Sequence, residues 1–265
     1  MHNGLQRPAA GRDGCIAAGV GRSIILGRGW RELPGWKHEG VKGLFAKYGR
    51  REIVLATVLA AAAATGLGWL FIPAAAVPVA AWLAVLWFFR DPHRTIPDED
   101  GVLVSPADGR VTDVTPVGAD SELGRAGLKI GVFMSVFDVH VNRSPAAGRV
   151  ESVTYRPGGF LDARDPAAGE RNESATIRLA CTRDGRALPV VVRQVAGLIA
   201  RRIVTDVKIG QDLEIGQRIG MIKFGSRVEL IAPTELAGEV RVKPHQKVRA
   251  GQTILLSGPR RSGHG

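Results

Sequence analysis

Cysteine is scarce in this 265-residue sequence, which contains only Cys15 and Cys181. The two lie far apart and neither has further ligand-type residues around it at a metal-binding spacing. A disulfide framework and a zinc site are therefore both unexpected, and a protein that faces the cytosol is indicated. The length permits one large or two small domains, with enough residues to bury a core.

Charge is absent from one long segment of the chain. No Asp, Glu, Lys or Arg lies between Ile53 and Phe89, and the first 52 residues carry +6 of the formal net charge of +11. The basic excess therefore lies mainly beside an apolar segment. That position favours anionic lipid over nucleic acid as the partner, and no nucleic-acid binding is expected.

The uncharged segment, residues 53–89, exceeds the roughly 20 residues that one membrane helix needs. Pro73 and Pro78 divide it, and basic residues flank it on both sides, which favours a cytoplasmic position for both ends. We predict a membrane-associated helical hairpin with basic flanks over residues 41–94, at the cytoplasmic face of the cell (inner) membrane. A helical hairpin buried in a soluble domain is the alternative. Residues 1–40, rich in Gly and Arg, are predicted to be a disordered tail.

The sequence after Gly101 has few helix signals. Short runs rich in Val, Ile and Thr, with apolar residues at alternate positions, are separated by Gly and Pro. This pattern is typical of a mostly β domain, which we assign to residues 101–257.

Two segments near the end of the chain repeat one another. VKIGQDLEIGQRIG (207–220) and VKPHQKVRAGQTIL (242–255) share six of fourteen positions. They are similar to the half-barrel strands of biotinyl and lipoyl carrier domains. The predicted fold class is therefore mostly β (α+β): a β-sandwich of two similar half-barrel units related to biotinyl- and lipoyl-type β domains, preceded by the hydrophobic helical hairpin. A non-enzymatic, membrane-tethered carrier-like β domain is one alternative function, although Lys223 lies within a strand pattern and not at a hairpin tip.

Between the two repeats, the stretch MIKFGSRVEL (221–230) places a Gly-Ser pair between two strand-like runs. Hairpins favour Asn-Gly or Asp-Gly, so this pair is a mediocre turn. A serine hydroxyl directly after a glycine carbonyl permits another chemistry: an N-to-O acyl shift, followed by β-elimination that cuts the chain and leaves a pyruvoyl group. Glycine suits this bond because it has no Cβ to obstruct the attack, and a base must accept the hydroxyl proton.

Several motifs occur around this pair in a fixed order. They are FFRDPHR (88–94), SPADGRV (105–111), FMSVFDVHVNRSPAAGRV (133–150), VAGLIARRIV (195–204) and GQRIGMIKFGSRVEL (216–230). Together they resemble the bacterial phosphatidylserine decarboxylase proenzymes, in particular the short class whose processing site ends in Phe-Gly-Ser. The resemblance covers about residues 41–257.

The resemblance implies a role for individual residues. Ser226 matches the residue that becomes the pyruvoyl group and forms a Schiff base with the substrate, and Gly225–Ser226 matches the self-cleavage site. Asp108 matches the acidic member of an Asp-His-Ser maturation triad. Longer members have two histidines three residues apart and use the second. Here His140 occupies the first position and Arg143 the second, so His140 is the expected base.

The implied activity is that of a carboxy-lyase that releases CO₂ from phosphatidylserine to give phosphatidylethanolamine in phospholipid biosynthesis. The implied cofactor is the covalent pyruvoyl group, without a metal, and the chains 1–225 and 226–265 are expected to remain associated. A pyruvoyl-dependent decarboxylase of another serine lipid or of a soluble amino acid is the alternative. Arg143, Arg201 and Arg202 are candidates to bind the lipid phosphate, because guanidinium groups suit phosphate oxygens. A solvated basic strand edge is the other interpretation of these arginines.

Overall fold

The structure is a computed structural model that describes residues 44–165, 167–198, 202–223 and 225–258. The predicted tail over residues 1–40, as well as Arg201 and Phe224, lies outside the described residues.

Two apolar helices precede the β domain. Helix α1 (Arg50–Leu70) ends where Phe71 turns to an extended conformation, and a short 3₁₀ turn (Ile72–Ala75) leads into α2 (Ala76–Phe88). The turn contains Pro73, which has no amide hydrogen to donate within a helix. Lys47–Leu70 is 24 residues long with a mean hydropathy of 2.0, which is long and apolar enough to cross a membrane.

The two helices contact each other and leave their other faces exposed. The Trp82 indole donates a hydrogen bond to the Thr57 hydroxyl at 3.0 Å, which joins α2 to α1. No residue of α1 is buried, and large side chains such as Trp69 and Ile72 are almost fully exposed. This exposure argues against the alternative of a helical hairpin buried within a soluble domain.

Fourteen strands and one short helix follow among the described residues. The strands are β1 (Val102–Val104), β2 (Gly109–Val117), β3 (Gly127–Met134), β4 (Val141–Arg143), β5 (Gly148–Arg156), β6 (Ser174–Arg183), β7 (Arg186–Val195), β8 (Arg202–Thr205), β9 (Asp212–Leu213), β10 (Arg218–Lys223), β11 (Ser226–Pro233), β12 (Glu239–Val240), β13 (Lys247–Val248) and β14 (Ile254–Ser257). Helix α3 (Ala168–Arg171) lies between β5 and β6.

The strands form one large and two small antiparallel sheets. The large sheet has the order β13-β2-β3-β11-β7-β6-β5-β9, and the small ones have the orders β1-β14-β12 and β4-β10-β8. Apolar side chains from all three sheets, among them Leu103, Ile130, Leu179, Ile222 and Leu256, make one continuous core. The predicted fold class is confirmed: the protein is mostly β, with a curled half-barrel sheet after an apolar N-terminal helix.

The strand order repeats itself about the centre of the large sheet. The strands β13, β2, β3 and β11, counted from one edge, correspond to β9, β5, β6 and β7, counted from the other edge. The two small sheets correspond in the same way, with β1, β14 and β12 matching β4, β10 and β8. Matching contacts support the relation, because Ser105 Oγ and Ser144 Oγ each donate to the carbonyl two residues later at 2.7 Å. These serines begin a second repeat, SPADGRV (105–111) and SPAAGRV (144–150).

The two halves are not consecutive in the chain. One half contains β4 to β10 and is inserted into the other, which consists of β1 to β3 and β11 to β14. The chain therefore crosses between the halves twice, after Met134 and after Lys223. The Gly225–Ser226 pair lies at the second crossing.

Candidate functional site

The Gly225–Ser226 bond lies where β10 passes into β11, near the middle of the large sheet. Gly225 has a φ of +59°, in the left-handed region that favours glycine, and a Cβ at this position would meet nothing within 4 Å. Ser226 is fully buried and pairs with Met134 of β3. The bond thus joins a glycine that borders open space to a serine inside the protein.

The Ser226 hydroxyl has a weak partner. Its Oγ lies 3.7 Å from the thioether sulfur of Met134, and no stronger acceptor for this hydroxyl occurs among the described contacts. Because a thioether is a poor hydrogen-bond acceptor, the hydroxyl proton is not held by a strong bond.

His140 contacts the glycine of the Gly225–Ser226 pair. The Gly225 amide donates to His140 Nε2 at 3.4 Å, and His140 Nδ1 lies 2.9 Å from the Asp138 carbonyl oxygen. A carbonyl oxygen can only accept, so Nδ1 carries the hydrogen and Nε2 presents its lone pair to the Gly225 amide. The two contacts therefore select one neutral tautomer, with unprotonated Nε2 facing the Gly225 amide.

Burial keeps this histidine neutral. The His140 side chain has no exposed surface, and the Phe88 ring packs against the imidazole with 4.4 Å between ring centroids. Loss of hydration lowers the pKa of His140 from 6.5 to about 4. The imidazole is therefore neutral at neutral pH, with Nε2 unprotonated.

Asp108 occupies a different contact network. Its carboxylate accepts hydrogen bonds from Arg94 Nη2 at 2.7 Å and from the Ala250 amide at 2.8 Å. Burial raises the pKa of Asp108, the Arg94 charge opposes that shift, and the carboxylates of Asp108 and Asp138 are close enough to repel each other. The described contacts include no hydrogen bond between Asp108 and His140, and of these two residues they link only His140 to Gly225.

The arginines expected at a phosphate have different surroundings. Arg143 is buried, and its guanidinium binds Asp91 at 2.7 Å and the Gly216 carbonyl at 3.1 Å. Arg218 binds the same Asp91 carboxylate, so Arg143 belongs to a buried ion-pair cluster. Arg202 is exposed on β8, directly opposite Lys223 of β10.

A buried chain of amides beside Ser226 was not anticipated from the sequence. The Thr205 hydroxyl donates to Gln194 Oε1 at 2.7 Å, and Gln194 Nε2 donates to Asn142 Oδ1 at 2.8 Å. This order turns Asn142 Nδ2 towards the Met134 sulfur, 3.6 Å away, which the Ser226 hydroxyl also contacts. Each residue comes from a different strand, and only Asn142, two residues after the motif histidine, has a local sequence signal.

Gly197 is a second residue whose role the sequence left open. A Cβ at this position would lie 2.2 Å from the Gly225 carbonyl oxygen, well inside van der Waals contact. Glycine is therefore required here for the chain after β7 to approach the Gly-Ser bond. Its position within the VAGLIARRIV motif (195–204) is the signal that pointed to it.

The helical hairpin begins and ends at this site. Lys223, two residues before Gly225, pairs with Glu52 in the first turn of α1. At the end of α2, Phe88 and Phe89 share a buried apolar cluster with Val139 and its neighbours on β4 and β10. Both helices thus leave the β domain beside the candidate reactive bond.

The described residues contain no group of three or more His, Cys, Asp or Glu side chains that could hold a metal ion. Cys181 is a free, buried thiol, and burial raises its pKa to about 12. It therefore has the character of a core side chain and not of a nucleophile.

Comparison with known proteins assigns the chain to a family. A sequence profile described as phosphatidylserine decarboxylase matches residues 83–256. A phosphatidylserine decarboxylase proenzyme of Symbiobacterium thermophilum is 50% identical over 173 residues, which covers 65% of this chain and 78% of the relative. Proteins of the same name from Rhodopirellula baltica and Desulfotalea psychrophila are 39% identical over 227 residues (85% of this chain, 89% of the relative) and 46% identical over 170 residues (64% and 77%). The chain therefore belongs to the phosphatidylserine decarboxylase family of carboxy-lyases.

Proposed function

We propose that this protein is a proenzyme that cuts its own Gly225–Ser226 bond and then decarboxylates phosphatidylserine to phosphatidylethanolamine. The observation that carries the proposal is the contact of the Gly225 amide with Nε2 of the buried, neutral His140. Family membership supplies the reaction class, and the names of the relatives supply the substrate and the processing from a proenzyme.

The first step is an acyl shift. Ser226 Oγ attacks the carbonyl carbon of Gly225, so that an ester C–O bond forms while the peptide C–N bond breaks. His140 Nε2 accepts the hydroxyl proton and returns it to the departing Ser226 amine, and no co-reactant is consumed. Gly225 has no Cβ beside the attacked carbonyl carbon and tolerates the φ of +59° found here.

The second step cuts the chain. Removal of the Ser226 Cα proton expels the Gly225 carboxylate and leaves a dehydroalanine at the new N-terminus. One water hydrolyses its imine tautomer, one ammonia leaves, and Ser226 becomes a pyruvoyl group. This group is an electron sink for the loss of CO₂ from an amino-acid head group. The products are the chains 1–225 and 226–265.

The other residues predicted from the sequence have roles that differ from those first expected. Asp108 acts through its charge and through Arg94, because it makes no described hydrogen bond to His140. Of the two described arginines that the sequence suggested for the lipid phosphate, Arg143 and Arg202, the candidate is Arg202, because its position on β8 is exposed. Arg143 serves the buried cluster with Asp91.

The location follows from the hairpin. α1 is long and apolar enough to cross a membrane, and both helices leave the β domain beside Gly225. We infer that the domain sits at the cytoplasmic face of the cell membrane, with the reactive bond turned towards the lipid that it acts on.

Intact-mass measurement of the purified protein tests the cleavage. The expected result is two chains, with a 226–265 chain that resists Edman sequencing because it has no α-amine. Ser226→Ala should stay as one uncut, inactive chain. Ser174→Ala is the matched control, because Ser174 is also a buried serine at the first position of a strand. An active enzyme with an intact Gly225–Ser226 bond would refute the proposal.

A second assay separates the possible substrates. The cleaved protein should release CO₂ from phosphatidylserine vesicles and leave free serine untouched. Release from free amino acids alone would favour a soluble substrate, and cleavage without any CO₂ release would contradict the decarboxylase.

A further inference from the structure

The turn between β3 and β4, residues 135–138, has two apolar side chains at its tip. The Asp138 amide donates to the Ser135 carbonyl at 2.9 Å, and the Ser135 amide and hydroxyl both donate to the Asp138 carboxylate at 2.9 and 2.7 Å. These bonds close the turn and leave Val136 and Phe137 at its centre, where Gly, Pro, Asn, Asp and Ser are favoured. Phe137 is 75% exposed. A rigid turn therefore holds a phenyl ring out of the domain.

This turn is tied to the end of the apolar helix α2. Arg90 donates from one guanidinium nitrogen to the Trp87 carbonyl and from another to the Phe137 carbonyl, each at 2.6 Å. The same guanidinium lies over the Trp87 ring, and that ring is largely exposed as well. The apolar surface of α2 thus continues, through one arginine, onto the turn.

A second exposed apolar side chain lies at the other side of the site. Leu198 is 64% exposed and follows Gly197, the residue in close approach to the Gly225 carbonyl. On the first side, the amide and carboxylate of Asp138 close the 135–138 turn, and its backbone carbonyl oxygen orients His140. Phe137 and Leu198 therefore lie on the two segments that flank the Gly-Ser bond.

We propose that the 135–138 turn and Leu198 insert into the lipid surface around the mouth of the site. The inference rests on the proposed membrane-lipid substrate and adds the surface through which the β domain meets it. A bilayer is the occupant that the observations favour, because Arg90 joins the exposed Phe137 and Trp87 at the end of the apolar helix α2, and its cationic guanidinium suits an anionic lipid. Insertion brings the head group level with the reactive bond without extracting the acyl chains.

Depth measurement in proteoliposomes tests the insertion directly. With Cys15→Ser, and with Cys181 buried, a fluorophore is placed at Phe137→Cys or Leu198→Cys in the full-length protein. It should be quenched by lipids with doxyl groups on their acyl chains and protected from aqueous iodide. The matched control is Ile209→Cys, since Ile209 is 69% exposed in a turn whose Gly210 amide donates to the Val150 carbonyl of β5. Equal iodide quenching at Phe137 and Ile209 would overturn the proposal.

Activity provides the second readout. Phe137→Ser and Leu198→Ser should each raise the KM for phosphatidylserine in vesicles by about tenfold, the scale of one buried large apolar side chain. Decarboxylation of a water-soluble, short-chain phosphatidylserine should be unchanged, as should both activities of Ile209→Ser. An unchanged ratio between the two substrates would contradict insertion, whereas absence of activity on both in the unmodified protein would contradict the proposed function instead.

Discussion

At the level of single residues, burial moves the pKa values of the two acid–base groups in opposite directions and favours the neutral form of both. The pKa of His140 falls to about 4, while that of Asp108 rises in spite of its bond to Arg94. A neutral imidazole with Nδ1 held by the Asp138 carbonyl keeps its Nε2 lone pair at the Gly-Ser segment. The residue that suits proton transfer at neutral pH is thus His140.

The lowered pKa of His140 predicts how self-cleavage depends on pH. Self-cleavage in a newly refolded precursor should be constant above about pH 5 and half-maximal near pH 4, because only the neutral imidazole accepts the Ser226 proton. His140→Ala should abolish or greatly slow cleavage, and Phe88→Ala should move the midpoint towards 6.5 by admitting water to the ring. His93→Ala, at an exposed histidine, should change nothing. A midpoint near 6.5 in the unmodified protein would remove His140 from this role.

The lowered pKa of His140 also makes the stability of the fold sensitive to acid. Between pH 6.5 and 4 the unfolded chain binds a proton at His140 and the folded chain does not, so stability falls as the pH falls through this window. The loss reaches about 3 kcal/mol at pH 4 for a shift of this size. Cleavage at low pH is therefore best followed under conditions where circular dichroism confirms the folded state.

At the level of elements, the helical hairpin is the proposed membrane anchor and also packs against the candidate site. Phe88 covers His140, and the pair of Glu52 and Lys223 ties the first turn of α1 to the strand that precedes Gly225. The end of α2 is thus part of the catalytic domain's packing, while the exposed lengths of both helices are free to meet lipid. Removing the entire segment 53–89 would uncover His140 as well as detach the protein.

A narrower deletion separates these two roles. Residues 54–84 can be replaced by a short Gly-Ser linker, because Ile53 and Val85 pack in the same apolar cluster. This variant should leave the membrane fraction at high salt, which screens basic residues from anionic lipid, and should still cleave itself. Its activity on vesicles should fall more than its activity on short-chain substrate. Retention in the membrane pellet at high salt would contradict the anchor assignment.

At the level of the whole molecule, the proposed cleavage site lies at a crossing between two related halves. The segment after Gly225 contributes β11, β12, β13 and β14 to the half that begins with β1. β11 lies inside the large sheet, paired with β3 along its entire length and with β7 along most of it. The proposed small chain would therefore include a strand from the interior of the large sheet.

This position predicts how the cleaved protein behaves. The two chains should co-purify and elute together in gel filtration at both low and high salt, because buried strand pairing and apolar packing hold them. They should separate only in denaturant, with one cooperative transition. Release of the small chain by salt alone, or at a denaturant concentration well below global unfolding, would contradict this placement of β11.

Local pattern was sufficient for much of this description. Alternating apolar residues predicted the β domain, an uncharged segment interrupted by Pro73 and Pro78 predicted the hairpin, and the repeat at 207–220 and 242–255 predicted two similar halves. The motif sequence predicted the family and the Gly-Ser pair. These features depend on neighbouring residues or on fixed spacing, which the sequence alone displays.

The contacts of the site were decided only by the tertiary structure. Gly225 meets His140 across 85 positions of sequence, and Gln194 meets Asn142 across 52. The register of strands and the insertion of one half into the other bring such pairs together, and neither is encoded in a local pattern. The same long-range packing bound Asp108 to Arg94 and not to His140, and it enclosed Arg143 in an ion pair with Asp91, because a buried charge is stable only beside a partner that compensates it.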